Sequence, residues 1–172
     1  MKLSRHLRSF VLPLVVAGVI PLLQIARFSP FGLKIYLPLP YVQVPLGMLV
    51  FCLGMVLLAA TIRMFASIGQ GTLAPWDPTR RLVTQGVYGY TRNPMICGVI
   101  FLLVGEALLT GSWAISAWAL IVIIVNTVYF KLSEEPGLVK RFGQEYAAYR
   151  ANVPMWIPRL KPWRPDGEKR AS

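Results

Sequence analysis

Residues 94–130 read PMICGVIFLLVGEALLTGSWAISAWALIVIIVNTVYF, with Glu106 as the single charged side chain. Thr110-Gly111-Ser112 divides the stretch into two apolar runs, about 94–109 and 113–130. A bilayer core about 30 Å thick takes about 20 helical residues. The second run fits that length. The first, roughly 24 Å long at 1.5 Å per residue, falls short of it. A join of three residues leaves the two runs no choice but to lie antiparallel as neighbours. The stretch therefore predicts a tight helical hairpin inside a membrane.

Two further apolar runs, about 10–26 and 44–65, lie upstream. The expected fold is an all-α membrane protein, with about four transmembrane helices plus a C-terminal amphipathic helix. Composition agrees: the 172 residues suit one domain, 55% are hydrophobic, 15% are charged, and the mean hydropathy is +0.55. The first run has the basic start of a signal peptide, but it is long and Gln24-Ile25-Ala26-Arg27 is a poor cleavage site, so a retained span is expected. Of the 18 basic residues, all but Arg27 and Lys34 fall on one side of a four-span arrangement with both termini inside. That bias orients both termini to the cytoplasm. It also accounts for the net charge of +11 without nucleic acid, for which no binding motif is present.

The polar segments divide the chain into an N-terminal two-span region (1–66), a core of loop, hairpin and cap helix (67–160), and a basic tail (161–172) expected to be disordered. In the 66–93 loop, Gly69, Gly71, Pro75 and Pro78 argue against regular helix. Asn93-Pro94 reads as the N-cap and first residue of the next helix. Pro136-Gly137 reads as a break, followed by a helix over about 137–151 with Leu138, Phe142, Tyr146 and Tyr149 on one face. That helix is expected on the membrane surface or folded over the hairpin mouth.

Several side chains stand out chemically. Arg92 immediately precedes a helix start, where the helix dipole and a guanidinium together favour a carboxylate. The other reading of Arg92 is an interfacial cation reaching lipid headgroups. Glu134 and Glu135 sit at a helix C-terminus, where the dipole opposes acids. They read as ligands for an ammonium or hydroxyl group, or as surface partners of Lys131 and Lys140. Tyr88 is an aromatic contact or a membrane-belt residue, and Tyr146 and Tyr149 are packing or site-lining residues. Glu106 is an intramembrane carboxylate, with Asn126 as its polar counterpart or as a separate interhelical bond. His6 is the only histidine and the two cysteines, Cys52 and Cys97, lie in apolar segments, so a zinc cluster, a Ser-His-Asp set and a disulfide framework are not expected. Gly69-Gln70-Gly71 has no strand before it and makes no dinucleotide site.

The ordered set Gly86-Val87-Tyr88, Thr91-Arg92-Asn93-Pro94, the hairpin, Glu134-Glu135, Phe142-Gly143-Gln144-Glu145-Tyr146-Ala147-Ala148-Tyr149, Val153-Pro154 and Ile157-Pro158 resembles the isoprenylcysteine carboxyl methyltransferase family and its phospholipid methyltransferase relatives. The resemblance covers about residues 69–158. It implies an S-adenosyl-L-methionine-dependent membrane methyltransferase acting on a lipophilic small-molecule or lipidated acceptor that enters from the bilayer. It implies cofactor contacts at Arg80, Arg81, Leu82, Val83, Tyr88, Arg92, Asn93, Pro94, Met95, Ile96 and Glu134. Arg92 and Glu135 are the candidate catalytic residues, Glu135 as base for an amine acceptor. Three positions depart from the family pattern. Asn93 stands in place of a histidine, Met95-Ile96 replaces a more polar pair, and Phe130 stands where the prenylcysteine enzymes carry a substrate-binding arginine. The resemblance therefore does not carry a prenylcysteine carboxylate as the acceptor. Two competing readings are an NADPH-dependent membrane reductase of sterol-reductase type and a small proton-coupled transporter built on Glu106.

Overall fold

A computed structural model describes residues 13–28, 40–67 and 82–164. Arg80 and Arg81, with the first part of the 66–93 loop, lie outside the described residues. Those described form helices and turns: a π-helical turn (Val15–Val19) entering α1 (Ile20–Phe28), α2 (Pro40–Ser67), a 3-10 turn (Gly86–Gly89), α3 (Pro94–Thr110), α4 (Trp113–Tyr129), a second π turn (Phe130–Glu134) and α5 (Glu135–Asn152). The fold is that of an all-α membrane protein. Tyr41–Met64 and the continuous helical run Trp113–Asn152 are long and apolar enough to cross a membrane, with mean hydropathies of 2.3 and 1.9 in their apolar windows. Val15–Arg27 and Pro94–Thr110 are shorter apolar helices.

The hairpin turn follows from two residues. Gly111 takes the left-handed conformation (φ 64°) that ends α3, and the Ser112 hydroxyl accepts the Ile115 N–H to start α4. The closest partner of α3 is nevertheless α2 rather than α4. A Cβ added at Gly105 would lie 2.7 Å from the Phe51 backbone nitrogen, and one at Gly54 would lie 2.8 Å from that of Leu102. At Gly98 and Gly47 the nearest atoms are side-chain carbons of Leu58 and Leu108, at 2.9 and 3.0 Å. Small residues that let backbones touch are how helices associate in lipid, where apolar surface gains little by leaving its surroundings. Val99, Leu102, Leu103, Ile115, Ala119 and Val122 form the core where α3 meets α4, with Phe51 and Leu58 of α2 against it.

Both π turns precede a proline. In π register, the N–H that Pro21 lacks is the one that would serve the Val16 carbonyl. The Trp118 indole takes that carbonyl at 3.0 Å and so ties the N-terminal helix to α4. The second π turn lets the helix pass Pro136: the Glu135 N–H reaches back to the Phe130 carbonyl. The break expected at Pro136-Gly137 is absent for that reason, and α4 runs into α5 without a loop. The bend falls at Gly143 instead, where φ is 52° and ψ is −125°. Asn126 is not a partner of Glu106; its amide donates to the Val122 carbonyl of its own helix at 2.8 Å.

Beyond α5 the chain turns back as a strap, 153–164. Its backbone pairs with the segment before α3 through Arg92 N–H to Pro154 O (2.9 Å), Arg159 N–H to Tyr90 O (3.0 Å) and Trp163 N–H to Gly89 O (2.9 Å). The start of the tail expected to be disordered is therefore held as far as Trp163. Beneath the strap, Tyr146, Tyr149 and Val153 are buried against Leu82, Leu138, Phe142 and Trp163. The face of Leu138, Phe142, Tyr146 and Tyr149 read from the sequence is the face that packs.

Candidate functional site

The site is assembled at the N-terminal mouth of α3. The 3-10 turn Gly86–Gly89 brings the chain to Thr91, which is 1% exposed and donates its hydroxyl to the Met155 carbonyl at 2.8 Å. The next residue, Arg92, is pinned through its backbone to the strap, and Pro94 then starts α3. The Arg92 guanidinium is thus fixed at a helix N-terminus by the residues on both sides of it. Asn93 occupies the N-cap position and is buried, but its side chain makes no capping bond.

Glu135 reaches the same point from the other side. The π turn advances the start of α5 so that the Glu135 side chain turns inward; the residue is buried. One carboxylate oxygen accepts from Nη1 of Arg92, and the other lies 3.4 Å from Nη1 of Arg150. A buried carboxylate between two guanidiniums satisfies the rule that interior charges are paired. Glu134 turns elsewhere: its Oε2 accepts from the Tyr129 hydroxyl at 3.3 Å.

Aromatic side chains enclose the pair. Tyr146 lies against Arg92; burial pushes its hydroxyl above the usual tyrosine range, with Arg92 opposing and Glu135 reinforcing that shift. Tyr149 donates its hydroxyl to the Tyr88 carbonyl at 2.8 Å. Its pKa is raised by burial, and Tyr88 is raised by burial and then by Tyr149. Trp163 packs against Tyr149 with ring centroids 5.7 Å apart. The Nε of Arg92 is buried and has no hydrogen-bond partner.

Of the residues singled out in the sequence, the structure brings Arg92, Glu135, Tyr146, Tyr149 and the Tyr88 backbone into one cluster. Leu82 packs under it, Val83 and Pro94 are buried beside it, and Met95 and Ile96 are half-buried in the first turn of α3. Sequence reasoning missed Arg150 and the strap contacts. The signal for Arg150 was present: it lies four residues after Tyr146, the spacing that puts two side chains on one helical face.

A buried arginine–glutamate pair at the mouth of apolar helices, roofed by a returning segment, places a polar site at the helix ends of a helical membrane protein. The chain belongs to the phospholipid methyltransferase family, whose model matches residues 42–145. It is similar to a protein-S-isoprenylcysteine O-methyltransferase of Schizosaccharomyces pombe, with 33% identity over 88 residues. That match covers 45% of this chain and 33% of the relative, so the chain spans about a third of the curated protein it matches. Its fold is similar to that of a eukaryotic intramembrane Ras methyltransferase, isoprenylcysteine carboxyl methyltransferase, at a TM-score of 0.55 and 23% identity over 92% of this chain and 55% of the other.

Proposed function

We propose that this protein is an integral membrane methyltransferase that uses S-adenosyl-L-methionine to methylate a lipophilic acceptor, with four spans and both termini in the cytoplasm. The observation that carries the reading is the Arg92–Glu135 pair, enclosed by Tyr146 at the mouth of α3 in a chain of this family. The cluster fits the cofactor's amino-acid end on one further point: the buried Arg92 Nε still has a hydrogen to donate. Arg92 would hold the carboxylate and Glu135 the ammonium group or ribose hydroxyls, whereas Glu134, turned toward Tyr129, stands apart from the cluster.

When bound, the cofactor supplies an electrophilic sulfonium methyl group, which leaves the protein the work of alignment and of excluding water. Thr91 and Arg92 fix the mouth of α3 against the strap, and Tyr146, Tyr149 and Trp163 line its underside. These contacts exclude water from the Arg92 side of the cluster. An acceptor that attacks through a carboxylate needs no base. An amine acceptor needs a base, and Glu135 would be the carboxylate that takes its proton.

The test is a calorimetric titration of detergent-solubilised protein with S-adenosylhomocysteine, followed by labelled methyl transfer to a membrane lipid extract. Binding in the parent chain that Arg92→Ala abolishes supports the reading. Folded protein that binds neither S-adenosylhomocysteine nor S-adenosylmethionine refutes it.

A further inference from the structure

The strap leaves two large aliphatic side chains uncovered outside any helix: Ile157 is 79% exposed and Leu160 is 100% exposed. Both lie within four residues of Lys161, and Arg164 follows. Lys161 and Arg164 are exposed, and no acid occurs among residues 153–164.

The position of the strap is fixed by its contacts. The Cys97 thiol, in the first turn of α3, donates to the Trp156 carbonyl at 3.5 Å. The Trp156 ring meets Phe130, where α4 ends, edge to face at 6.3 Å. The strap thus lies level with the ends of two apolar helices, and Leu132, 76% exposed, stands in the same π turn as Phe130 beside exposed Lys131. Aliphatic side chains flanked by lysine and arginine, at the depth where apolar helices end, match the boundary between acyl chains and anionic headgroups in both polarity and charge.

We propose that Ile157 and Leu160, with Lys161 and Arg164, form a docking surface for anionic phospholipid, on the leaflet that the Arg92–Glu135 site faces. The two aliphatic side chains enter the acyl boundary and the two cations hold headgroup phosphates. The same strap supplies the Pro154 and Met155 carbonyls that fix Arg92 and Thr91. Lipid docking therefore stabilises the roof of the site, and the charge of the leaflet acts on the site through the strap. The inference rests on the membrane placement proposed above and is independent of methyl transfer.

The test uses the full chain with Cys52→Ser, because Cys97 is buried and stays unreacted. Leu160→Cys is labelled with a nitroxide, and the protein is reconstituted in vesicles of phosphatidylcholine alone or mixed with phosphatidylglycerol. Accessibility is read with a lipid-soluble and a water-soluble relaxation agent, and helical circular dichroism checks the fold. The expected result is preferential access from the lipid phase in the mixed vesicles. The lipid-to-water ratio should fall roughly fivefold for each cation removed in Lys161→Gln and Arg164→Gln, the usual strength of a basic side chain at an anionic surface. Equal access from water in both vesicles would overturn the proposal. So would lipid access indifferent to phosphatidylglycerol and to both substitutions, which would leave an apolar contact only. Protection from both agents, with crosslinking to a second protein, would also overturn it and assign the surface to a protein partner. S-adenosylhomocysteine binding, measured on the same samples, separates failure here from failure of the methyltransferase reading.

Discussion

Nη1 of Arg92 and Oε1 of Glu135 form an ion pair across 43 positions of sequence, joining the mouth of α3 to the start of α5. The two side chains are 14% and 8% exposed, so the pair is largely withdrawn from water. Arg150 closes on the second carboxylate oxygen from the solvent side, at 53% exposure.

Removing Glu135 leaves the buried Arg92 guanidinium without a carboxylate, and removing Arg92 leaves Glu135 with the more exposed Arg150 alone; breaking a buried pair typically destabilises by about 3–5 kcal/mol. We expect Arg92→Ala and Glu135→Ala each to lower the unfolding midpoint in detergent and to abolish S-adenosylhomocysteine binding. Glu134→Ala, which removes only the bond from the Tyr129 hydroxyl, should leave the midpoint within the small range of a surface change, about 0.5 kcal/mol. Thermal melts and titration calorimetry on the three variants check the contrast.

Gly143 and Gly54 should respond to alanine for opposite reasons. At Gly143 an added Cβ meets nothing within 4 Å, so the penalty is the backbone alone: φ 52° with ψ −125° is the glycine-favouring position of a type II′ turn, about 1–3 kcal/mol for a residue with a side chain. At Gly54 the Cβ would lie 2.8 Å from the Leu102 nitrogen, so α2 and α3 must separate along their length. Gly54→Ala should therefore lower the melting midpoint more than Gly143→Ala. A reversed order would contradict the close α2–α3 approach.

Tyr149→Phe removes the hydroxyl that holds the Tyr88 carbonyl and keeps the ring against Trp163. A net loss of about 0.5–1.5 kcal/mol is expected for the bond. Faster amide hydrogen exchange at residues 86–90, with α4 unchanged, would locate the effect in the 3-10 turn.

Tyr88, Tyr146 and Tyr149 all have pKa values raised above the ordinary 10.0 by burial. A raised folded-state value means that the unfolded chain releases these protons first. Their stabilising contribution is complete below pH 10.0, the unfolded value, and is lost as pH rises through the folded values. Tyrosinate absorbance during an alkaline titration should appear late for these groups and coincide with loss of near-ultraviolet circular dichroism. Early, reversible ionisation in folded protein would contradict their burial.

The apolar runs and the hairpin turn are legible in the sequence because hydrophobic length and a Gly-Ser join act locally. The face of Leu138, Phe142, Tyr146 and Tyr149 is legible for the same reason. The pairing of α3 with α2 is not, because Gly47, Gly54, Gly98 and Gly105 specify close approach without naming a partner. The continuous passage through Pro136 is hidden as well. Pro-Gly ordinarily ends a helix, and only the π turn at Phe130–Glu134 restores the register. Arg92, Glu134 and Glu135 are prominent by chemistry, yet which glutamate meets Arg92 depends on that same turn. The strap contacts depend on backbone pairing between positions as distant as Arg92 and Pro154 or Gly89 and Trp163, which side-chain pattern does not encode.

The absence of a loop between α4 and α5 has a mechanical consequence. From Trp113 to the bend at Gly143, about 45 Å of unbroken helix at 1.5 Å per residue acts as one lever. Glu135 rides on that lever, whereas Arg92 is anchored to the strap and to α3. The ion pair is therefore the joint between two separately held parts of the molecule, and any change in the slant of α4 relative to α3 is felt there first.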